Sequence, residues 1–413
     1  MSTHPDEKRI NELRTKYEKW KQSPFQLAIT RGVPSREQLQ LSEPLLNVLS
    51  PEDLIGEGNT DYRNYGGLTG IPEAKQLFAN LFDTTPEETV VGGNSSLQLM
   101  YILLNSKMNI GEDAWRNEGK VTFLCPSPGY DRHFQMTEHF GIHMIPVDLK
   151  DDGPDMDQVE KLVAEDETIK GIWCVPTYSN PTGTTYSDEV VDRLAAMETK
   201  SRDFIVIWDN AYMVHHLNEE KEQAKNLLAA CKEAGNPNRA WMFTSTSKIT
   251  FPGAGVAAIS TSEENVSYYT KMLGKQLISF DKINQMRHVK FLKDKDGVEA
   301  HMKKHADILR PKFEMIEHKL KEYFQGEKSG LVEWTTPNGG YFVHLTTKKG
   351  CASKIVRAAE DIGIQLTPAN ATYPYGHNPD DNSIRLAPTS VPASELEQAM
   401  EALAVCIEWV TLQ

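Results

Sequence analysis

The chain has 413 residues and a formal net charge of −14 at pH 7, from 44 Lys or Arg against 58 Asp or Glu. This length predicts more than one folded unit, and the excess of negative charge argues against a nucleic-acid partner, which needs clustered cations. No apolar run approaches the roughly 20 residues that cross a bilayer, and Met1–Ile10 is too polar for a secretion signal, so we expect a cytoplasmic protein that binds no membrane.

The first predicted element is an amphipathic helix, because apolar residues recur at helical spacing between Ile10 and Trp20. From residue 89 onward, short apolar or β-branched segments alternate with helical patterns. This alternation predicts an α/β fold, in which a mainly parallel, seven-stranded sheet is sandwiched by helices. The predicted strands are 89–91, 121–125, 142–147, 171–175, 204–208, 241–244 and 256–260.

The C-terminal part of the chain predicts a second, smaller unit. Residues 298–324 have the pattern of one long helix, kinked or interrupted at Pro311. Three strand-like segments and a final helix follow. We expect a small α+β domain made from both chain ends, residues 1–51 and 296–413, beside a large α/β domain of residues 52–295.

Two histidines, His301 and His305, lie one helical turn apart in the predicted long helix. The residues between them include two lysines and lack the glutamate of a zinc-protease motif. This pattern predicts a solvated helix face, and we expect no metal site.

Four loops rich in polar residues each follow a predicted strand. Because the carboxyl ends of parallel strands meet at one edge of a sheet, we expect the four loops to converge there. Their sequences are GGNSS (92–96), NPTG (180–183), DNAY (209–212) and STSK (245–248).

The polar groups of these loops match the needs of pyridoxal 5′-phosphate (PLP) chemistry. A lysine amine forms a Schiff base with the cofactor aldehyde and, once deprotonated, acts as a base. A buried carboxylate keeps the pyridine nitrogen protonated, so that the ring withdraws electrons from the substrate. An amide and a phenol hold the ring hydroxyl as an anion, and hydroxyls at a helix N-terminus bind the phosphate.

Each residue taken alone has a simpler explanation. Asp209 could cap a helix, Asn180 could begin a turn before a proline, and Lys248 could be a surface lysine. Ser245 and Ser247 could cap the end of a strand. The order of the motifs, each at a strand end, favours the cofactor site.

The chain resembles the class I aminotransferases of PLP fold type I. The matching motifs run in the order of that family and span residues 65–385. They are YGGLTG, SPGY, NPTG, DNAY, STSK and SIRLA. Two longer segments, TSTSKITFPGAG and DKINQMRH, look closest to a bacterial aspartate aminotransferase subgroup related to the effector domains of MocR-type regulators.

The resemblance implies a role for each matching residue. Lys248 would be the Schiff-base lysine and the catalyst of proton transfer, with Asp209 paired to the pyridinium. Asn180 and Tyr212 would contact the ring oxygen. Arg385 would bind the substrate α-carboxylate beside Asn180, since its planar guanidinium suits a bidentate contact.

The remaining cofactor contacts follow from the same resemblance. Tyr130 would stack on the ring, and Tyr65 would reach the phosphate of the neighbouring subunit, which implies a homodimer with shared active sites. The phosphate contacts within the chain would come from Ser95, Ser96, Ser245 and Ser247.

One departure from the family concerns the charge of the phosphate. Many relatives carry an arginine shortly after the lysine, in a G-x-R-x-G pattern. Here the corresponding stretch, residues 252–256, reads PGAGV and has no cation. Lys282 and Arg287 are the candidates for supplying one.

The resemblance implies a ping-pong transamination from an L-amino acid to a 2-oxo acid, with aspartate and 2-oxoglutarate favoured. Two alternatives remain: another PLP reaction, as in a β-lyase or a decarboxylase, or a non-catalytic PLP-sensing regulator. A regulator would need a DNA-binding module, and the residues before Tyr65 lack a helix-turn-helix pattern. No residue that recognises the substrate side chain is identified.

Overall fold

A computed structural model describes residues 5–413, except for the side chains of residues 5, 6 and 57. The beginning of the polar stretch considered above as a signal, residues 1–4, lies outside the described residues. Among the helices that are described, none combines the length and the apolar character needed to cross a membrane.

Thirteen strands occur in the described chain, and most of them belong to one large sheet. Their bounds are β1 Leu27–Ala28, β2 Thr89–Val91, β3 Thr122–Ser127, β4 His143–Lys150, β5 Gly153–Pro154, β6 Ile169–Cys174, β7 Ile205–Asp209, β8 Ala240–Ser245, β9 Ala257–Thr261, β10 Val332–Trp334, β11 Val343–Thr347, β12 Ile364–Gln365 and β13 Ser383–Leu386.

Thirteen α-helices connect and cover these strands within residues 5–413. Their bounds are α1 Pro5–Gln22, α2 Arg36–Gln40, α3 Pro72–Phe82, α4 Ser96–Asn109, α5 Asp131–His139, α6 Met156–Glu165, α7 Asp188–Ala196, α8 Leu227–Glu233, α9 Glu263–Leu273, α10 Lys282–Leu292, α11 Lys295–Tyr323, α12 Ala352–Asp361 and α13 Ala393–Thr411.

The large sheet has eight strands in the order β2-β9-β8-β7-β6-β3-β4-β5. The central strands β8, β7, β6, β3 and β4 pair in parallel, whereas β9 pairs antiparallel with both of its neighbours. The predicted α/β class and all seven predicted strands are confirmed. The eighth strand, β5, is a two-residue Gly-Pro segment at the edge, and no apolar pattern marks it in the sequence.

Alternate side chains of the strands enter two cores, one on each face of the sheet. Leu124 of β3 packs in one core with α3, α6, α7 and α8. Its neighbours Phe123 and Cys125 pack in the other core with α4, α5 and α9. Strands buried on both faces read as continuous apolar runs, and this explains why these segments were recognisable in the sequence.

A third core joins the two ends of the chain. It includes residues of α1, α11, α12 and α13 and of the antiparallel sheet β10-β11-β13. Tyr17 of α1 packs on Trp409 of α13, with ring centroids 4.5 Å apart. Helix α11 runs through Pro311 without a break. Its residues Val298 and Met302 pack in a sheet core, and its later turns pack in the third core. The domain bounds of 52–295, with 1–51 and 296–413, therefore stay a prediction.

The prediction of a solvated face at His301 and His305 is wrong, because the two side chains are only 6% and 1% exposed. Of the three residues between them, Lys303 and Lys304 do reach solvent, because these two side chains point away from the buried face of the helix. Gln38 Nε2 donates a hydrogen bond to His305 Nδ1 at 3.0 Å. Burial lowers the pKa of His305 to about 3, so this ring is neutral.

A buried ion pair holds α1 on the C-terminal helix. Arg9 donates two hydrogen bonds of 2.7 Å to Glu408, whose side chain is almost fully buried, and Tyr323 donates a third at 2.7 Å. Burial by itself raises the pKa of Glu408, but the hydrogen bonds from Arg9 and Tyr323 outweigh it and the pKa is lowered overall.

We expect Arg9→Met to lower the free energy of unfolding by about 2 kcal/mol. This is less than the roughly 3–5 kcal/mol typical of a broken buried pair, because Lys328 Nζ remains 3.6 Å from Glu408. Urea unfolding measures the effect, with Arg14→Met on the exposed side of the same helix as the control. The pKa of Glu408 is lowered in the folded state, so this stabilisation is complete above the ordinary glutamate pKa and is lost as the pH falls through the lowered folded-state pKa. The difference between the two variants should therefore shrink progressively in acid. Equal stability of both variants at pH 7 would contradict this role.

Candidate active site

The four polar loops converge at the carboxyl edge of the sheet, as the sequence predicts. They follow the ends of β2, β6, β7 and β8. Asn94 Oδ1 accepts a hydrogen bond of 3.0 Å from the backbone N–H of Gly255, which joins the first loop to the segment after the last loop. Lys248 Nζ lies 5.2 Å from the ring centroid of Tyr212, which joins the third loop to the fourth.

Two side chains contact the backbone carbonyl of Lys248, whereas its side-chain amine has no hydrogen bond or ion pair with a described residue. Tyr341 Oη donates to the Lys248 carbonyl at 3.4 Å, and His215 Nε2 lies 3.3 Å from the same oxygen. No hydrogen bond or ion pair to a described residue engages Nζ. Desolvation lowers the pKa of Lys248, and the charge of Asp209 partly opposes that shift. A neutral amine with a free lone pair is what nucleophilic and base chemistry needs.

Asp209 ends β7 and is only 3% exposed. Its Oδ2 lies 2.9 Å from His133 Nε2, whose ring stacks on Trp173 with centroids 4.2 Å apart. Its Oδ1 is buried and has no hydrogen-bond partner among residues 5–413. A buried carboxylate oxygen without a donor is unusual in a folded protein, so this atom is available to a ligand that carries an N–H group.

Two tyrosines lie in the same region. Burial is the main cause that raises the pKa of Tyr130 to about 12 and the pKa of Tyr212 well above its usual value. The charge of Asp209 raises both pKa values further, and the charge of Arg385 lowers them, so these four residues lie close enough to affect one another. Neither the Tyr212 hydroxyl nor Asn180 Nδ2 donates a hydrogen bond to any described residue.

Hydroxyl groups and a helix N-terminus form a cradle between the first and fourth loops. Ser95 caps α4 by accepting from the backbone N–H of Gln98 at 3.3 Å, and Ser96 is the first residue of that helix. Ser245 Oγ donates to Ser247 Oγ at 3.1 Å. A Cβ atom on Gly255 would lie 2.5 Å from the Asn94 carbonyl oxygen and 3.3 Å from Ser247 Oγ. The loops are thus packed too tightly for any side chain at position 255.

The two cations proposed for the phosphate have different surroundings. Lys282 is buried, and its Nζ donates hydrogen bonds of 2.5 Å to the carbonyl oxygens of Asn64 and Gly66. It therefore fixes the loop that carries Tyr65. Arg287 is half-buried and forms no hydrogen bond or ion pair with the described residues. Within one chain, the cradle consists of hydroxyls and backbone N–H groups.

Tyr65 is the one predicted site residue that stands apart from the others. Its side chain is 80% exposed, although Lys282 anchors the backbone on both sides of it. An anchored loop with an exposed aromatic side chain is suited to contact another molecule.

Arg385, on β13, is only 6% exposed and lies over the ring of Phe342 at 5.2 Å. Its Nη1 donates to Asn180 Oδ1 and to Asp131 Oδ1, both at 3.1 Å. Its Nη2 donates to the Thr30 carbonyl and to Thr367 Oγ1, both at 3.0 Å. The structure thus brings the predicted carboxylate-binding arginine to the predicted cofactor loops.

Comparison with known proteins decides the family. The model of the family described as aspartate amino-transferase matches residues 1–413. The chain belongs to this family. A putative aminotransferase of Mycolicibacterium smegmatis is 46% identical over 388 residues, which cover 92% of this chain and 90% of that protein.

Two more relatives of this aminotransferase come from Corynebacterium glutamicum and Thermus thermophilus. A protein named aspartate aminotransferase from C. glutamicum is 43% identical over 404 residues, 96% of this chain and 92% of its own. A crystal structure of an aspartate transaminase from that species has a TM-score of 0.95 and 41% identity, and covers 100% of this chain and 97% of its own. The α-aminoadipate aminotransferase of T. thermophilus shares the fold, with a TM-score of 0.76 and 20% identity over 99% and 97% of the two chains.

Several residues of this aminotransferase site could not be found from the sequence. His133 lies three residues after Tyr130, one turn into α5, and only its contact with Asp209 distinguishes it from a core histidine. Asp131 looks like an acidic residue in the first turn of a helix, which is common. Thr367 lies in a loop without a motif. The link to MocR-type effector domains stays a prediction.

We expect Gly255→Ala to weaken PLP binding, because the new methyl group would push apart the two loops of the cradle. Overpacking of this kind costs about 1–3 kcal/mol, which corresponds to a loss in affinity of about tenfold or more. Titration of the cofactor-free protein with PLP measures the change. The control is Gly253→Ala in the same loop, where a Cβ atom would meet nothing within 4 Å. Equal affinities in the two variants would show that PLP does not use this cradle.

Proposed function

We propose that this aminotransferase uses PLP to transfer the amino group of aspartate to 2-oxoglutarate. The observation that carries the cofactor assignment is Asp209 Oδ1, a buried carboxylate oxygen that lacks a donor and lies near the free amine of Lys248. The structure of the T. thermophilus relative is described as a complex with N-(5′-phosphopyridoxyl)-L-leucine. That description supports the same cofactor here.

The polar groups without protein partners fit the polar atoms of PLP. Asp209 Oδ1 would accept the ring N–H, with His133 holding the other carboxylate oxygen. Asn180 Nδ2 and the Tyr212 hydroxyl would donate to the ring oxygen. Tyr130 would stack on the ring, and the phosphate would lie at the N-terminus of α4. The phosphate contacts would come from Ser95, Ser96, Ser245 and Ser247.

When bound, PLP supplies an aldehyde that condenses with amines and a ring that withdraws electrons from the substrate Cα. Arg385 would orient the substrate through its α-carboxylate, so that the Cα–H bond faces Lys248. Because desolvation lowers its pKa, Lys248 Nζ would accept the proton of the substrate Cα and return it to the carbon of the cofactor aldehyde, two bonds away across the nitrogen. Asp209 would keep the ring nitrogen protonated throughout.

The preference for aspartate is inferred from the C. glutamicum relative, whose name specifies that substrate. In this chain, Arg385 accounts for the α-carboxylate alone. Family membership favours transamination over the β-lyase, decarboxylase and regulator hypotheses. Turnover of aspartate that depends on 2-oxoglutarate would support this choice, and release of alanine and carbon dioxide from aspartate without a 2-oxo acid would contradict it.

We further propose a homodimer in the cytoplasm, with each active site completed by Tyr65 of a second copy. Tyr65 is exposed on an anchored loop, and its hydroxyl makes no hydrogen bond with a described residue. Exposed Ile278, at 63%, is another apolar group that a partner would cover.

We expect Lys248→Ala to lower the rate of transamination by at least about 1,000-fold, because it removes the amine that would form the Schiff base and move the proton. In the unchanged protein, borohydride treatment should attach PLP to the peptide that contains Lys248, as detected by mass spectrometry. The control is Lys271→Ala, at an exposed position of α9, which should behave as the unchanged protein. Retention of the label in Lys248→Ala would refute the assignment.

The shared site can be tested by complementation. We expect Tyr65→Ala and Lys248→Ala each to be impaired alone, since each removes one contributor to every site. When the two variants are mixed and refolded together, a mixed dimer contains one site with both native residues. Activity should therefore reappear, at up to about one quarter of the native value for random pairing of two chains. Absence of recovery, with mixed dimers demonstrated by mass spectrometry, would mean that Tyr65 serves its own chain.

A further inference from the structure

The carboxylate of Asp131 accepts a hydrogen bond from Arg385, the arginine that is proposed to bind the substrate. Asp131 is the first residue of α5 and directly follows Tyr130. Its Oδ1 accepts a hydrogen bond of 3.1 Å from Arg385 Nη1. A negative group of the same chemistry as the substrate α-carboxylate thus lies where that carboxylate is expected to bind.

The N–H groups of Arg385 leave little room for a second carboxylate. A guanidinium has five of them, and four already have acceptors: Asp131, Asn180, the Thr30 carbonyl and Thr367. The fifth, on Nε, is buried without a partner. A bidentate contact needs two N–H groups, so an incoming carboxylate must displace at least one existing acceptor.

Asp131 is the acceptor that can leave most easily. The Thr30 oxygen belongs to the backbone, and Thr367 Oγ1 also donates to it at 2.7 Å, so these two hold each other in place. Asn180 is 5% exposed, whereas the Asp131 side chain is 21% exposed and can turn towards water. Two carboxylates on one buried cation also repel each other, which favours departure of the more exposed one.

We propose that Asp131 is a stand-in for the substrate α-carboxylate: it neutralises Arg385 in the empty site and is displaced when substrate binds. This inference rests on the proposed role of Arg385 in substrate binding. A buried cation without a counter-ion is costly, so the stand-in stabilises the empty enzyme. The same contact weakens substrate binding, because part of the interaction with the substrate replaces one that already exists.

The test is calorimetric titration of the PLP-loaded enzyme with succinate, a dicarboxylate that has no amine to react. Removing the competitor should tighten binding of succinate by about tenfold, the equilibrium effect of one charge-assisted hydrogen bond. We expect this tighter binding in Asp131→Asn. The asparagine can keep a neutral hydrogen bond with Arg385, so the effect should be larger in Asp131→Ser, whose shorter side chain removes that contact. The KM for aspartate should fall in the same variants. Asp131→Glu, which keeps the charge, should bind succinate within about threefold of the unchanged enzyme.

The matched control is Asp188→Asn, which makes the same change at the first residue of α7, where the side chain is exposed and makes no hydrogen bond. It should bind succinate as the unchanged enzyme does. Unchanged or weaker binding in both Asp131→Asn and Asp131→Ser would overturn the proposal and assign Asp131 to positioning Arg385. A separate outcome concerns the proposed function: if Arg385→Met binds succinate normally, the carboxylate site lies elsewhere and both assignments fail.

Discussion

The candidate active site depends on one physical constraint, the free-energy cost of burying charged side chains away from water. Asp209, Lys248 and Arg385 are held at the carboxyl edge of the sheet, where burial penalises each charge that lacks a partner. The three side chains reduce this cost in different ways. One carboxylate oxygen of Asp209 forms a hydrogen bond with His133, and four N–H groups of Arg385 donate to acceptors. The pKa of Lys248 is lowered, which favours its neutral form. One carboxylate oxygen, one amine and the Nε–H of Arg385 remain unpaired among the described residues, and the first two are the groups available for chemistry.

Helix α10 holds two loops of the candidate site in place, although it makes no hydrogen bond to a predicted catalytic side chain. Asn284 Nδ2 donates to the carbonyl oxygens of Ala254 and Gly255, and His288 Nε2 lies 2.8 Å from Thr250 Oγ1. Lys282 anchors the loop of Tyr65. One helix therefore supports both the loop after the lysine and the loop proposed to reach the second subunit. The segment predicted as a source of positive charge thus also acts as a brace, and its role towards the phosphate stays a prediction.

The sequence predicted the elements that have strong local signals. Strands buried on both faces appear as apolar runs, so all seven were found, and the loops after them were correctly placed at one edge of the sheet. Prediction failed at His301 and His305, because two lysines in the interval do not reveal which side of a helix is buried. It also could not show that α11 packs in two cores, since a continuous apolar stripe looks the same whichever partner covers it.

The sequence alone predicted the composition of the candidate site: a lysine, an aspartate, an asparagine, a tyrosine and serines at strand ends, in an order that indicates one cofactor. Only the tertiary structure decided how the charges are balanced. Residues such as His133, Asp131 and Thr367 act through contacts with partners 18 to 254 positions away in the chain, and local patterns carry no information about such distances. The competition between Asp131 and a substrate carboxylate arises from those contacts, because it depends on which N–H groups of Arg385 are already occupied.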